Sequence, residues 1–305
     1  MDRTPVAHPP ARGGRHPELA PPRGGRAPAV AKGHRSTSTP SGVGVGPGGV
    51  KALRWKVAAA SDRGRVRARN EDFYAYYTPG DPRRAEEYGS LFCVADGVGG
   101  HTAGEVASAE AANVLLQEYY FAPPRRRPPD RLRAAFSRVA VHVFTLGDAH
   151  ADFHNMQTTL TALLLRGGRY WIAHVGDAKC YQVRAGSARQ LTRDHSLAAQ
   201  MRGLGLLRAE DVGRHPGRHV LVRSVGADPL VRPDMVAGVL QPGDVYALVT
   251  DGMMDYLSAE ELGGLMAGAD LEMGVQEAVD LANTRGGGDN LTVLAVRVDA
   301  GAGPV

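Results

Sequence analysis

The chain has 305 residues, 43% of them hydrophobic and 22% charged, the composition of an ordinary soluble protein with room for one large domain or two small ones. Its formal net charge of +4 does not point to nucleic acid, because residues 1–50 hold seven basic side chains against two acidic ones and leave the remainder at −1. Two cysteines are too few for a disulfide framework, and no stretch reaches the roughly 18 apolar residues of a membrane span.

Residues 1–50 carry 9 prolines and 10 glycines with almost no large apolar side chains. Such a segment cannot bury enough surface to offset its ordering entropy, so it reads as a disordered, solvated tail. It lacks the apolar centre of a signal peptide. Its arginines make it a candidate contact for an acidic partner. Residues 51–299 read as one domain, and 300–305 as a short C-terminal tail.

Within the domain, Trp55–Ala60 opens a strand, and Phe73–Tyr77 reads as its hairpin-style partner. The apolar run Leu91–Ala95 suits a buried strand. Two helices are expected next, over Ala103–Tyr120 and Asp130–His150, the second with Leu132, Phe136, Val139, Val143 and Leu146 at helical spacing. Strand runs follow at Thr158–Leu165, Tyr170–Val175 and Cys180–Val183. Residues 196–220, rich in Gly, Arg and His, read as an irregular surface flap. The chain closes with a strand at 244–250, helices near 258–267 and 271–284, and a strand at 290–298. That order lacks regular βαβ alternation and indicates an α+β fold with helices packed outside antiparallel sheets. Cys93 and Cys180 lie inside apolar runs and read as buried thiols of a reducing cytoplasm.

Four acidic motifs adjoin these elements: Asn70-Glu71-Asp72, Ala95-Asp96-Gly97-Val98-Gly99-Gly100, Thr250-Asp251-Gly252 and Gly287-Gly288-Asp289-Asn290. One Asp-Gly is an ordinary turn. Four such motifs at strand ends that converge in space make an oxygen-rich site for hard divalent cations, Mg2+ or Mn2+ rather than zinc. Two such ions can assist in-line displacement at phosphorus. Gly97 would let a backbone carbonyl turn toward a metal. A phosphate also needs a cationic clamp, and Arg67 lies in an arginine-rich loop four residues before Glu71. Spacing alone does not say which of Arg63, Arg65, Arg67 and Arg69 points inward, or whether all four simply coat the loop.

The segments 61–72 (SDRGRVRARNED), 92–108 (FCVADGVGGHTAGEVAS), 158–165 (TTLTALLL), 174–186 (HVGDAKCYQVRAG), 191–196 (LTRDHS), 243–255 (GDVYALVTDGMMD) and 286–296 (GGGDNLTVLAV) together resemble the metal-dependent serine/threonine protein phosphatases, the PPM or type 2C family, in its bacterial single-domain form. The likeness runs from about Lys56 to Val298. It implies a four-layer αββα sandwich, with two antiparallel sheets between helical layers. It implies that Asp96, Asp251 and Asp289 hold one metal, and that Asp96, the Gly97 carbonyl and Glu71, directly or through water, hold a second. Asp72 would hydrogen-bond metal-bound water, and Arg67 would bind phosphate. Asp177 and Asp255 match a weaker third-metal position, although alone they also read as a turn residue and a helix cap. The implied activity is hydrolysis of phosphoserine and phosphothreonine by direct attack of a metal-bridging hydroxide. The implied partners are phosphorylated proteins and an opposing serine/threonine kinase in signalling. The alternative is a catalytically silent pseudophosphatase that binds phosphoproteins; it predicts a broken ligand set, and this set is intact.

Three departures from the family pattern stand out. Val98 occupies the position of a histidine in many animal relatives, so the leaving-group acid is unassigned, with a metal-bound water or His101 as candidates. Met156-Gln157-Thr158-Thr159 stands where the family commonly has Met-Gly-Thr-Thr. Gly176-Asp177-Ala178-Lys179 replaces Gly-Asp-Ser-Arg and puts the third-metal geometry in question.

Overall fold

A computed structural model describes residues 42–44, 53–98 and 102–300. The expected tail therefore lies mostly outside the described residues, as do Gly99, Gly100 and His101. Within the tail segment, β1 (Gly42–Gly44) pairs with the start of β2 (Leu53–Asp62). Next come β3 (Asp72–Tyr77), α1 (Pro82–Tyr88), β4 (Ser90–Val98), α2 (Thr102–Phe121) and α3 (Pro128–Ala149). Then follow β5 (Gln157–Thr158), β6 (Leu160–Arg166), β7 (Arg169–Val175), β8 (Lys179–Arg184), β9 (Ser187–Gln190), α4 (Leu197–Gly203) and β10 (Asp234–Val239). The C-terminal part is β11 (Val245–Val249), α5 (Asp251–Met254), α6 (Ala259–Met266), α7 (Leu271–Thr284) and β12 (Leu291–Ala300).

These strands form two antiparallel sheets, in the orders β1-β2-β12-β11-β8-β9 and β10-β7-β6-β4-β3, with β5 attached to β4. Three separate apolar layers follow from the period-2 alternation of the strands. On β4, Leu91, Cys93 and Ala95 face Leu115, Leu116, Phe136 and Val139 of α2 and α3. Phe92 and Val94 on its other face meet Leu248, Leu294 and Val296 of the first sheet. The outer face of that sheet, through Val249, Val293 and Ala295, packs on Leu262, Val275 and Ala278 of α6 and α7. Helices, sheet, sheet, helices: the four-layer sandwich is as expected.

One pairing differs. β2 and β3 are not hairpin partners: β2 pairs along its whole length with β12, and β3 pairs with β4 in the other sheet. The loop between them crosses from one sheet to the other, which local sequence cannot distinguish from a hairpin connection. The flap is also more ordered than expected. Ser196 caps α4 by accepting from the Ala199 N–H, and two 3-10 turns follow at Ala209–Arg214 and Pro216–His219. No helix among the described residues is long and apolar enough to cross a membrane.

Candidate active site

Register brings the acids together. β3 and β4 place Asp72 directly opposite Asp96, on the same inner face as Phe92 and Val94 but at its open end. From the other sheet, Asp251 begins α5 just after β11, and Asp289 precedes β12. Asp177 sits in the turn joining β7 to β8. The result is one cavity of about 490 Å³ lined by Arg67, Glu71, Asp96, Gly97, Asp177, Asp251, Asp255 and Asp289, with Thr159, His219 and Tyr256 on its walls. Asp72 lies beneath it, where its Oδ2 accepts a hydrogen bond from Thr250 Oγ1 at 2.8 Å. All nine residues singled out in the sequence therefore belong to one place.

The arginine loop and the last strand are joined by Asn290. Its Oδ1 accepts from the Glu71 N–H at 2.8 Å, and its Nδ2 donates to the carbonyls of Arg63 (2.9 Å) and Arg69 (2.8 Å). Gly97 permits a close approach: a Cβ there would fall 2.1 Å from the Gly104 carbonyl oxygen. A Cβ on Gly104 would in turn meet the Glu71 carboxyl at 2.9 Å. The two glycines thus let β4 and the first turn of α2 close around Glu71.

The electrostatics are those of an anionic pocket. Burial, and then repulsion from Asp251 and Asp289 against hydroxyl bonds from Thr292 and Thr250, pushes Asp72 up to about 7. Burial and then Asp251 raise Asp177 to about 7. Burial, followed by Asp72, Asp251 and Asp177, holds Asp96 well above the carboxylate range. Asp251 is lowered despite its burial, by His219, by Lys179 and by its neighbour Asp96. Glu71 is raised, mainly by burial.

This donor set is one of oxygens, and several features fit divalent cations. Asp72 Oδ1 is buried without a hydrogen-bond partner. Asp96, Asp177 and Asp72 are all raised, first by burial and then by neighbouring carboxylates, an environment suited to positive charge. No three His, Cys, Asp or Glu side chains among the described residues stand arranged around one point to hold a metal. The reason is visible in their partners: Arg67 Nη2 pairs with Asp289 Oδ2 at 2.8 Å, and His219 Nδ1 with Asp251 Oδ2 at 3.0 Å. These contacts give two of the acids basic partners.

Sequence reasoning missed several of these groups. His219 and Arg218 come from the flap, and Arg218 Nη2 reaches Asp255 at 3.5 Å. Nothing in a Gly-, Arg- and His-rich stretch marks one histidine for this contact. Lys179, in place of a guanidinium, is partly buried; it donates to the Asp177 carbonyl at 3.0 Å and pairs with Asp194 at 3.2 Å. Its pKa is nonetheless raised, because Asp194, Asp177 and Asp251 outweigh burial. His195 holds the Asp177 turn: its Nδ1 accepts from the Gly176 N–H at 3.0 Å and its own N–H donates to the Gly176 carbonyl at 2.8 Å.

A double-sheet sandwich whose strand ends gather carboxylates opposite one guanidinium is suited to metal-assisted hydrolysis at phosphorus. Comparison with known proteins agrees. The protein phosphatase 2C family profile matches residues 58–200. A putative protein phosphatase 2C-type protein of Streptococcus pyogenes is 32% identical over 79% of this chain and 96% of its own length. Among solved structures, the S. agalactiae serine/threonine phosphatase superposes with a TM-score of 0.73 at 30% identity, covering 80% of this chain and all of that one. The catalytic domain of the serine/threonine protein phosphatase PstP, in complex with two manganese ions, gives a TM-score of 0.69 at 30% identity, covering 81% of this chain and 99% of that one. The chain belongs to the protein phosphatase 2C family.

Proposed function

We propose that this protein hydrolyses phosphoserine and phosphothreonine in proteins, using two divalent cations, Mn2+ or Mg2+. The observation that carries this reading is the cluster of six carboxylates, from buried Asp177 to exposed Asp255, that share one cavity with Arg67. Asp96, Asp251 and Asp289 would hold one ion, and Asp96, the Gly97 carbonyl and Glu71 the other. When bound, the ions supply Lewis acidity that lowers the pKa of a water and neutralises charge at the transferred phosphoryl group. Asp177 and Asp255 are the candidates for a third ion.

The chain's own residues do the rest. Arg67, half-exposed at the cavity rim, would exchange Asp289 for the non-bridging phosphoryl oxygens and hold them bidentately. Asp72, oriented by Thr250 through Oδ2, presents Oδ1 as the acceptor that orients the attacking water. Attack is direct on phosphorus. Burial pushes the Cys93 thiol up to about 12 and the Cys180 thiol higher still, so neither is a thiolate nucleophile near neutral pH. A role in signalling opposite a serine/threonine kinase, in the cytoplasm, belongs to the same reading.

The test is turnover of a phosphothreonine peptide by protein stripped with EDTA and then supplied with Mn2+, with samples quenched in acid and, in parallel, in base or detergent checked for phosphoprotein. Turnover restored by the ion without any acid-stable or acid-labile phosphoenzyme is expected. Turnover undiminished by stripping, or a phosphoenzyme formed at the rate of turnover, would contradict it.

A further inference from the structure

The cavity opens between two basic margins. On one side, the loop between β2 and β3 carries Arg63, Arg65, Arg67 and Arg69 at alternate positions, all of them exposed. Its backbone is fixed, because the Arg65 N–H donates to the Gly287 carbonyl at 2.7 Å and Asn290 ties the carbonyls of Arg63 and Arg69. The side chains therefore leave set points next to Gly288 and Asp289, which line the cavity. On the other side the flap presents Arg218.

The partners of these arginines divide them by task. Arg67 is turned inward to Asp289. Arg69 faces Glu105 across 3.7 Å with both side chains more than half exposed, a pairing of little strength. Among the described residues, Arg63 and Arg65 have no acidic partner at all. Asp62 is engaged by the Gly64 N–H and the Asn283 amide, Arg63 itself reaches only the Ala68 carbonyl at 3.4 Å, and both guanidinium-bearing residues stay exposed on the loop that borders the cavity. Guanidinium forks match carboxylates bidentately, and they add charge steering to whatever approaches the cavity.

We propose that Arg63 and Arg65 form a specificity margin that selects phosphorylated segments flanked by acidic residues. This rests on the phosphatase reading above and names the substrate class for the same site. Neither side chain takes part in holding cations or phosphate, so the margin acts on protein substrates and not on a small phosphate ester.

The test uses two phosphothreonine peptides of equal length, one with Asp and Glu and one with Lys on either side of the phosphorylated residue, together with p-nitrophenyl phosphate. All three are assayed with Mn2+ on the full chain and on an Arg63→Glu/Arg65→Glu variant. The wild type should favour the acidic peptide by about tenfold in kcat/KM at low salt, chiefly through KM, as two exposed charge pairs allow. The preference should shrink in about 0.5 M salt, where the Debye length falls to a few ångströms. The variant should lose or invert the preference and keep its turnover of p-nitrophenyl phosphate. Equal kcat/KM for the two peptides, or a preference unchanged in the variant, would overturn the proposal while leaving the phosphatase reading intact. Failure of the wild type to hydrolyse even the small ester would remove the phosphatase reading itself. A variant that loses the small ester as well would place these arginines in the catalytic machinery and overturn the assignment of a separate margin.

Discussion

Asp96→Asn is expected to lower phosphopeptide turnover by about 10²–10³-fold, the scale of losing one preorganised charge-stabilising group, while making the metal-free protein more stable. The two effects share one cause. Asp96 is the acid common to both proposed ion positions, and it is packed against Asp72, Asp251 and Asp177, each of which raises its pKa. Its carboxylate is a cost to the fold that only positive charge offsets. The amide introduced by Asp96→Asn removes that repulsion and offers a donor to Asp251. A gain of about 1 kcal/mol or more is expected, which at this size raises Tm by roughly 2–4 °C. Thermal melts in EDTA and initial rates in Mn2+ check the two halves independently. A variant that is both inactive and destabilised would show that Asp96 serves the fold and not the ions.

The second large effect is on pH. Asp72 and Asp177 stand at about 7 in the folded chain against an ordinary 3.8, and Asp96 is raised as well. Between about pH 4 and 7 the folded state therefore holds protons that the unfolded state has released, so stability is lost as pH rises through that window. Asp251, whose pKa is lowered, titrates below this window; the buried His174, lowered to about 3, and His195, also lowered, act in the opposite sense below pH 6.5 and offset part of the loss. With each unit worth about 1.36 kcal/mol, the metal-free protein should lose on the order of a few kcal/mol between pH 5 and pH 8. Mn2+ must displace these protons to bind, so its stabilising effect should be larger at pH 8 than at pH 5. Melts at the two pH values, with EDTA and with Mn2+, give the comparison. A metal-free Tm that is flat or rises toward pH 8 would contradict the electrostatics described for the cavity.

Much of this site was legible in the sequence because its acids adjoin strong local signals. Asp96 continues the apolar run of β4, Asp251 ends that of β11, and Asp289 opens that of β12, so each carboxylate could be placed at a strand end before any packing was known. Asn290 stood inside a recognised motif, but its role needed the loop 63–69 to be brought against it from 221 to 227 residues away in the chain. β10 escaped notice because it is a half-exposed edge strand containing Gly238, with no clean alternation to reveal it. The pairing of β2 was misread since nothing near Asp62 records that the chain changes sheets. His219 was out of reach for a similar reason. Its contact with Asp251 depends on how the flap folds back, and the flap's composition encodes turns without encoding where they lead.

The most direct test of the central claim, that these converging carboxylates form a cation-dependent phosphoprotein phosphatase, is turnover of a phosphothreonine peptide in Mn2+ by the wild type beside Asp251→Asn and Asp289→Asn. Ion-dependent turnover by the wild type, collapsing in both variants while each stays folded, is the expected result. A well-folded wild type without turnover in Mn2+ or Mg2+ would contradict the claim and leave a phosphoprotein-binding module built on the same fold.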